Sequence, residues 1–324
     1  MTAPFFVVGN DRSGTTMLRL VLDRSRGAAI PPESMFLLDF APAWRAGRLG
    51  DPATATRLLR RVWAHPRVEH WGLPPEPPPL PPGLSHAAAY RFVVEAPFRA
   101  YARAHGKERF GDKTPVYLHH VDHLLEVWPD ARFLVLVRDG RDVALSLLRV
   151  PFGANNVWAA ARWWARGIRA GREAERRHPE RVLALRYEDL VAAPAAGVRR
   201  ACEFLGLAYE DSMLAIEETD PGKIAKDQAG WFTNVFAGIN ASAVGKWERE
   251  MSEHERRVFA AVAGAELRAL GYEPGPVRRI PPGRVLGYAL HDAVARGVNF
   301  VRLRLLRERG REVGYVLRRK LGLT

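Results

Sequence analysis

The chain has 324 residues and a formal charge of +13, with a pI near 10.4 and 43 Arg against 6 Lys. That length can bury one large α/β domain or two smaller ones, and the charge suggests an anionic partner: nucleic acid, a membrane surface or a highly phosphorylated ligand. A single cysteine, Cys202, excludes an internal disulfide, and the absence of about 18 uninterrupted apolar residues argues against a spanning helix. With a chain that opens directly into a strand, these features lead to the expectation of a soluble, cytoplasmic protein.

Phe5 to Val8 reads as a short buried strand, and Met17 to Leu22 recur at helical spacing, so Gly9 to Thr16 connects strand to helix. Gly9 and Gly14 stand as in the G-x-x-x-x-G of a phosphate loop, where backbone N–H groups and a helix N-terminus favour a phosphate or sulfate. A nucleotidase loop needs Lys after the second glycine. Thr15 takes that place, with the nearest cation moved back to Arg12, so the loop suits a different anion. A ligand-free βα turn is the plain alternative.

Further along, Glu33 opens a second apolar stretch, where a carboxylate in the first turn of a helix is ordinary dipole compensation. Residues 51–72 are a helix candidate, 74–82 a polyproline-like surface connector, and His86 to His105 a helix ending at Gly106. A strand then passes through Asp112-Lys113-Thr114-Pro115 into a helix from about Val116. His119, His120, Asp122 and His123 have the i, i+4 spacing of a metal cluster, but no second His/Cys cluster accompanies them, and a solvated helical face is the preferred reading. Phe133 to Val137 is a buried parallel strand followed by Arg138 and a helix bearing Ser146, a pair able to meet a phosphate at a strand end; a salt-bridged turn is the alternative. Residues 155–178 form a long helix whose Trp158, Trp163 and Trp164 read as core. Strand 181–185 exits at Tyr187, and Pro194 to Leu205 is helical. Periodicity fails from Gly222 to Gly245, as in lids and binding loops, before Lys246 and a helix over 252–270. The alternation predicts a mostly parallel sheet covered by helices.

Arg-Ser-Gly-Thr-Thr at 12–16, Asp-Lys-Thr-Pro at 112–115 and Val-Arg-Asp-Gly-Arg-Asp-Val-Ala-Leu-Ser at 137–146 together resemble sulfotransferases that use 3′-phosphoadenosine 5′-phosphosulfate (PAPS). Tyr187-Glu188-Asp189-Leu190 and Gly245-Lys246-Trp247 are similar too, and the resemblance covers residue 4 to about 272. It implies a P-loop-like α/β domain over 1–280, transfer of a sulfuryl group from PAPS to an acceptor hydroxyl, release of adenosine 3′,5′-bisphosphate (PAP), and no metal. Arg12, Ser13, Gly14, Thr15 and Thr16 match the 5′-phosphosulfate loop, and Arg138 with Ser146 the 3′-phosphate pair. Lys113 matches a lysine at the sulfate region, Tyr187 a residue near the nucleotide, and Lys246 a lysine after a closing loop.

Two departures from the phenol and steroid branch matter: Arg12 where that branch has Lys, and Pro115 where its catalytic His stands. The tyrosylprotein branch has Arg in the loop and a glutamate base shortly after the first helix, and the interval from Arg12 to Glu33 resembles it. Arg12 and Lys113 would then stabilise the leaving phosphate, with Glu33 as general base. A P-loop kinase is the alternative, lacking its lysine at Thr15 and an acidic Mg²⁺ site. No binding module for nucleic acid is evident, and a small molecule, lipid or glycan is the expected acceptor. Residues 281–324 form a basic amphipathic tail, with an apolar stripe through Val285, Leu286, Leu290, Val294, Val298, Val301 and Leu305, suited to packing on the body, dimerisation or an anionic membrane surface; the first two are preferred.

Overall fold

Phe5-Phe6-Val7-Val8-Gly9 is buried at every residue, as a strand flanked on both sides requires. A computed structural model describes residues 3–150, 153–219, 238–277 and 279–305. Its strands are β1 (Phe5–Gly9), β2 (Ala28–Ala29), β3 (Arg109–Lys113), β4 (Arg132–Val137) and β5 (Val182–Arg186). They form one parallel sheet in the order β2-β3-β1-β4-β5, with Phe5 opposite Gly111 on one side and Arg132 on the other.

The two-residue period of a strand divides the core into two clusters. Phe5 and Val7 pack with Leu134 and Leu136 against helices α1 (Thr15–Asp23) and α6 (Pro194–Leu205). Between these lie α2 (Pro52–Trp63), α3 (His86–Ala104), α4 (Gly140–Leu148) and α5 (Val157–Arg177). Phe6, Val8 and Phe133 face α3, α5 and a later helix, α7 (Glu253–Ala269), on the opposite side. Phe6 stacks on Phe133 with centroids 4.9 Å apart. Cys202 is buried in the first cluster, and burial pushes its thiol up to about 11, so it acts as a small apolar side chain. The last helix, α8 (Pro282–Leu305), lies against α5.

Two local readings need correction. No helix begins at Glu33: residues 33–36 are irregular and the next helix is Ala41–Ala46, so dipole compensation does not account for this carboxylate. The segment after Lys113 is a 3-10 helix over Pro115–His120 before the α-helix Val121–Val127, which breaks the continuous i, i+4 face assumed for His119 and His123. Asp122 there pairs with Arg177 and His178 at 2.6 and 2.7 Å, and His123 with Glu126 at 3.4 Å, the ion-paired surface of the plain reading. Tyr187 does stand at the exit of β5, where it starts a short helix, Tyr187–Ala192. Most of the irregular 222–245 stretch, including Gln228, Gly230, Trp231 and Asn234, lies outside the described residues, as does the tail beyond 305.

Candidate active site

Because every strand runs the same way, their C-terminal ends share one edge of the sheet. Read across that edge from β2 to β5, the residues that follow or end the strands are Glu33, Lys113, Arg12, Arg138 and Tyr187. Residues scattered over 176 positions of sequence thus form a row, with a carboxylate at one end and an aromatic ring at the other.

The loop after β1 is tightly shaped. Gly14 caps α1 at φ +94, and a Cβ there would meet the Tyr187 ring at 2.6 Å. Arg12 adopts φ +69, one of only two non-glycine residues among those described with positive φ, a conformation that costs an L-residue about 1–2 kcal/mol. Its carbonyl, turned inward by this conformation, accepts from Arg138 Nη1 at 3.0 Å, and its Nε donates to Ser146 Oγ at 2.9 Å. Burial first, and then the neighbouring charge of Arg138, lower the pKa of the Arg12 guanidinium, while Asp11 opposes this. Two cations held together in a partly buried cleft make a binding site for an anion. Trp164 of α5 ties the loop to β4, since its carbonyl accepts from Asn10 Nδ2 at 3.0 Å and its Nε1 donates to Arg138 O at 3.1 Å. The core reading of Trp158 and Trp164 holds, both being buried, and Trp164 also sets the spacing of two site loops.

The second positive-φ residue is Met35, two residues after Glu33. The chain bends there because long-range hydroxyls capture its amides: Ser34 N donates to Thr114 Oγ1 at 3.2 Å and Leu37 N to Tyr117 Oη at 3.0 Å. Ser34 Oγ also donates to Asp112 Oδ2 at 2.5 Å. This network sets Glu33 beside Lys113, whose Nζ donates to Glu33 Oε1 at 2.5 Å and to Thr16 Oγ1 at 3.1 Å. Burial lowers the pKa of the Lys113 ammonium, and Glu33 is the main influence opposing it. Where a nucleotidase carries its lysine in the loop itself, here the neighbouring strand supplies one to the start of α1.

A cavity of about 300 Å³ opens over the loop, lined by Arg12, Thr15, Thr16, Arg138, Ser146 and Tyr187, with Lys246 at its wall. Arg138 lies over the Tyr187 ring at 4.6 Å and donates to Ala243 O as well as to Arg12 O. Asp142 accepts from Gly245 N at 2.8 Å and Trp247 N at 3.0 Å, which holds Lys246 at the cavity. The predicted residues therefore come together, with two distinctions. Ser13 is wholly buried and does not line the cavity, and Lys113 with Glu33 reach it only through Thr16. Sequence reasoning passed over Asp142, although it lies within the quoted motif, and the Asp112–Ser34–Thr114 network; for Asp142 an invitation existed in a second Asp four residues after Arg138, whereas the network depends on pairing across some 80 residues.

The sulfotransferase family model matches residues 4–211. The chain belongs to the sulfotransferase family. It is 26% identical to protein-tyrosine sulfotransferase A of Caenorhabditis elegans, over 84% of this chain and 68% of that protein. It is likewise 26% identical to nodulation protein NoeE of Sinorhizobium fredii, over 83% of this chain and 65% of that protein. The sulfotransferase domain from the curacin biosynthetic pathway superposes with a TM-score of 0.55 at 19% identity, covering 84% of this chain and 99% of that domain, which establishes the shared fold. For this sulfotransferase, the matched region contains Arg12, Glu33, Lys113, Arg138, Ser146 and Tyr187, and ends before Lys246. Among the described residues no group of three or more His, Cys, Asp or Glu is arranged to hold a metal, and no helix is long and apolar enough to cross a membrane.

Proposed function

We propose that this sulfotransferase takes its sulfuryl group from PAPS and passes it to a hydroxyl that approaches Glu33. The observation that carries the reading is the row of Glu33, Lys113, Arg12 and Arg138 along one sheet edge, base at one end and anion-binding groups at the other. The residues fit the nucleotide. Arg138 Nε is buried without a hydrogen bond among the described residues, a donor left for a phosphate oxygen beside Ser146. Amides at the start of α1 and Arg12 would hold the 5′-phosphosulfate, Arg138 with Ser146 the 3′-phosphate, and the Tyr187 and Lys246 walls the rest. When bound, PAPS supplies the sulfuryl group and an already good leaving group, the PAP phosphate.

Glu33 would accept the hydroxyl proton. Its side chain is 18% exposed, open enough for an acceptor to reach, and its contact with Lys113 aims the carboxyl group at the loop. Lys113, bonded to Thr16 and Glu33 together, would carry positive charge to the place where the bridging oxygen gains negative charge. Transfer of this kind depends on positioning and charge more than on covalent help from the protein.

The acceptor is taken as the hydroxyl of a small molecule, lipid or glycan, in a cytoplasmic setting; the tyrosine acceptor named for the worm relative is the competing choice. Thermal-shift and calorimetric titration with PAP, 5′-AMP and ATP–Mg²⁺ test the donor side, with PAP expected to bind at least about tenfold tighter than 5′-AMP. Equal binding of PAP and 5′-AMP, or a preference for ATP–Mg²⁺, would refute the assignment. PAP release from PAPS over a panel of phenols, tyrosine peptides, sterols and sugars tests the acceptor side.

A further inference from the structure

Helix α8 has two working faces. One seats it on the body: Tyr288 Oη bonds His254 Nε2 at 2.7 Å, Asn156 Nδ2 donates to Tyr288 O at 3.0 Å, and the buried Asp292 accepts from Asn155 Nδ2 at 3.0 Å and pairs with Arg296 at 2.7 Å. At 100° per residue the opposite face carries Leu286, Leu290, Val294 and Val298, spread over an arc of about 120°. These four are 69, 63, 58 and 48% exposed, and they make up all but one of the exposed large hydrophobic residues among those described. An aliphatic stripe this continuous on an anchored helix is not scattered surface apolarity; it marks a contact.

The charge of the segment decides which contact. Residues 281–324 hold ten Arg and Lys against three acidic residues, so more than half of the chain's +13 falls in its last 44 positions. A second copy brought to this stripe would bring the same excess positive charge, and the two segments would repel. An anionic lipid surface attracts that charge and accepts the stripe among its acyl chains. We infer that the outer face of α8 docks the enzyme flat on an anionic membrane leaflet, reversibly, without spanning it. This contact is independent of the chemistry proposed for the cleft.

Co-sedimentation of the full chain with phosphatidylcholine vesicles, and with vesicles containing about one third phosphatidylglycerol, reads the contact directly. The expected result is at least about tenfold stronger partitioning onto the anionic vesicles, lost on raising salt from about 0.1 to about 0.5 M. Because the four side chains are exposed, the combined variant Leu286→Gln, Leu290→Gln, Val294→Gln and Val298→Gln should keep its melting temperature and PAP affinity while vesicle binding falls at least about tenfold. Leu290→Glu alone provides the second arm if the combined variant folds poorly, and it should weaken binding in the same direction. Equal binding to neutral and anionic vesicles, or undiminished binding by the variants, overturns the inference. So does a dimer in sedimentation equilibrium that the variants dissociate, with no vesicle binding by the wild type.

Discussion

Replacing Glu33 by Gln removes a carboxylate whose Oε1 sits 2.5 Å from Lys113 Nζ, and it separates two roles of that contact. The first is structural. Lys113 is only 3% exposed at its side chain, and a buried pair broken outright costs about 3–5 kcal/mol. Here the amide oxygen of Gln still accepts from Nζ, Thr16 Oγ1 stays at 3.1 Å, and position 33 is partly open to water, so only part of that cost, about 1–2 kcal/mol, is expected. The melting temperature should fall by about 1.5–3 °C. Glu33 is also the chief group favouring the Lys113 ammonium, so the variant lysine should lose its proton at lower pH than the wild-type one. The second role is chemical, and a lost general base reduces turnover by about 10²–10⁴-fold. Calorimetry with PAP and a PAP-release assay with the best acceptor of the panel distinguish the two: nucleotide affinity within about threefold of wild type, turnover lost. Turnover close to wild type in Glu33→Gln, with His119→Ala inactive instead, would refute the base assignment and leave Glu33 as the counter-ion of a buried lysine.

Three other outcomes follow from the same geometry. Arg138→Gln should weaken PAP about 10–100-fold and leave 5′-AMP nearly unchanged, by titration; an equal loss for both would mean that Arg138 serves only to hold the Arg12 and Ala243 carbonyls. Asp112 is fully buried and burial raises its pKa to about 7, against the opposing hydroxyls of Ser34 and Thr114. The folded state therefore holds this proton more tightly than the unfolded one, and stability should fall as pH rises from about 4 to about 7, by on the order of 4 kcal/mol from this group. Asp112→Asn should flatten that slope in urea denaturation, and parallel slopes for the two proteins would contradict the account. Gly14→Ala forces a Cβ to 2.6 Å from the Tyr187 ring at a φ that L-residues avoid, so it should lower stability by about 2 kcal/mol or more and weaken PAP binding. An unchanged urea midpoint with unchanged PAP affinity would show that the loop simply relaxes.

The sheet and its main helices are legible in sequence because their signals are local. A four-residue apolar run ending in glycine marks β1, and Pro194 and Gly206 punctuate α6 at its first residue and just past its last. Glu33 shows where local reading fails. A carboxylate before an apolar run looks like a helix start, but Pro31 and Pro32 precede it, and the amides of Ser34 and Leu37 find their acceptors on Thr114 and Tyr117, eighty residues away. No window of sequence contains both ends of those bonds. Arg12, Lys113, Arg138 and Ser146 could be picked out by motif, yet not the contact of Arg12 with Ser146, which joins a loop after β1 to the last turn of α4. Asp142 lay in plain view as a charge inside a helix; that it receives the amides of Gly245 and Trp247 depends on a segment about a hundred positions further on.

The place of β1 has a consequence for how the enzyme is made. Its residues leave the ribosome before those of every other strand, yet they lie mid-sheet, pairing with Gly111 through Lys113 on one side and with Arg132 through Leu136 on the other. Until more than a hundred further residues have emerged, this apolar segment has no partner strand, and closing loops of that size before any reward sets a slow nucleation step. Refolding should accordingly run on a scale of milliseconds to seconds or longer rather than microseconds. Nucleotide affinity should appear together with the final insertion of β1, because that single event brings Arg12 between Lys113 and Arg138. A stalled nascent chain ending before β4 would display the phosphate-loop sequence in full and bind nothing.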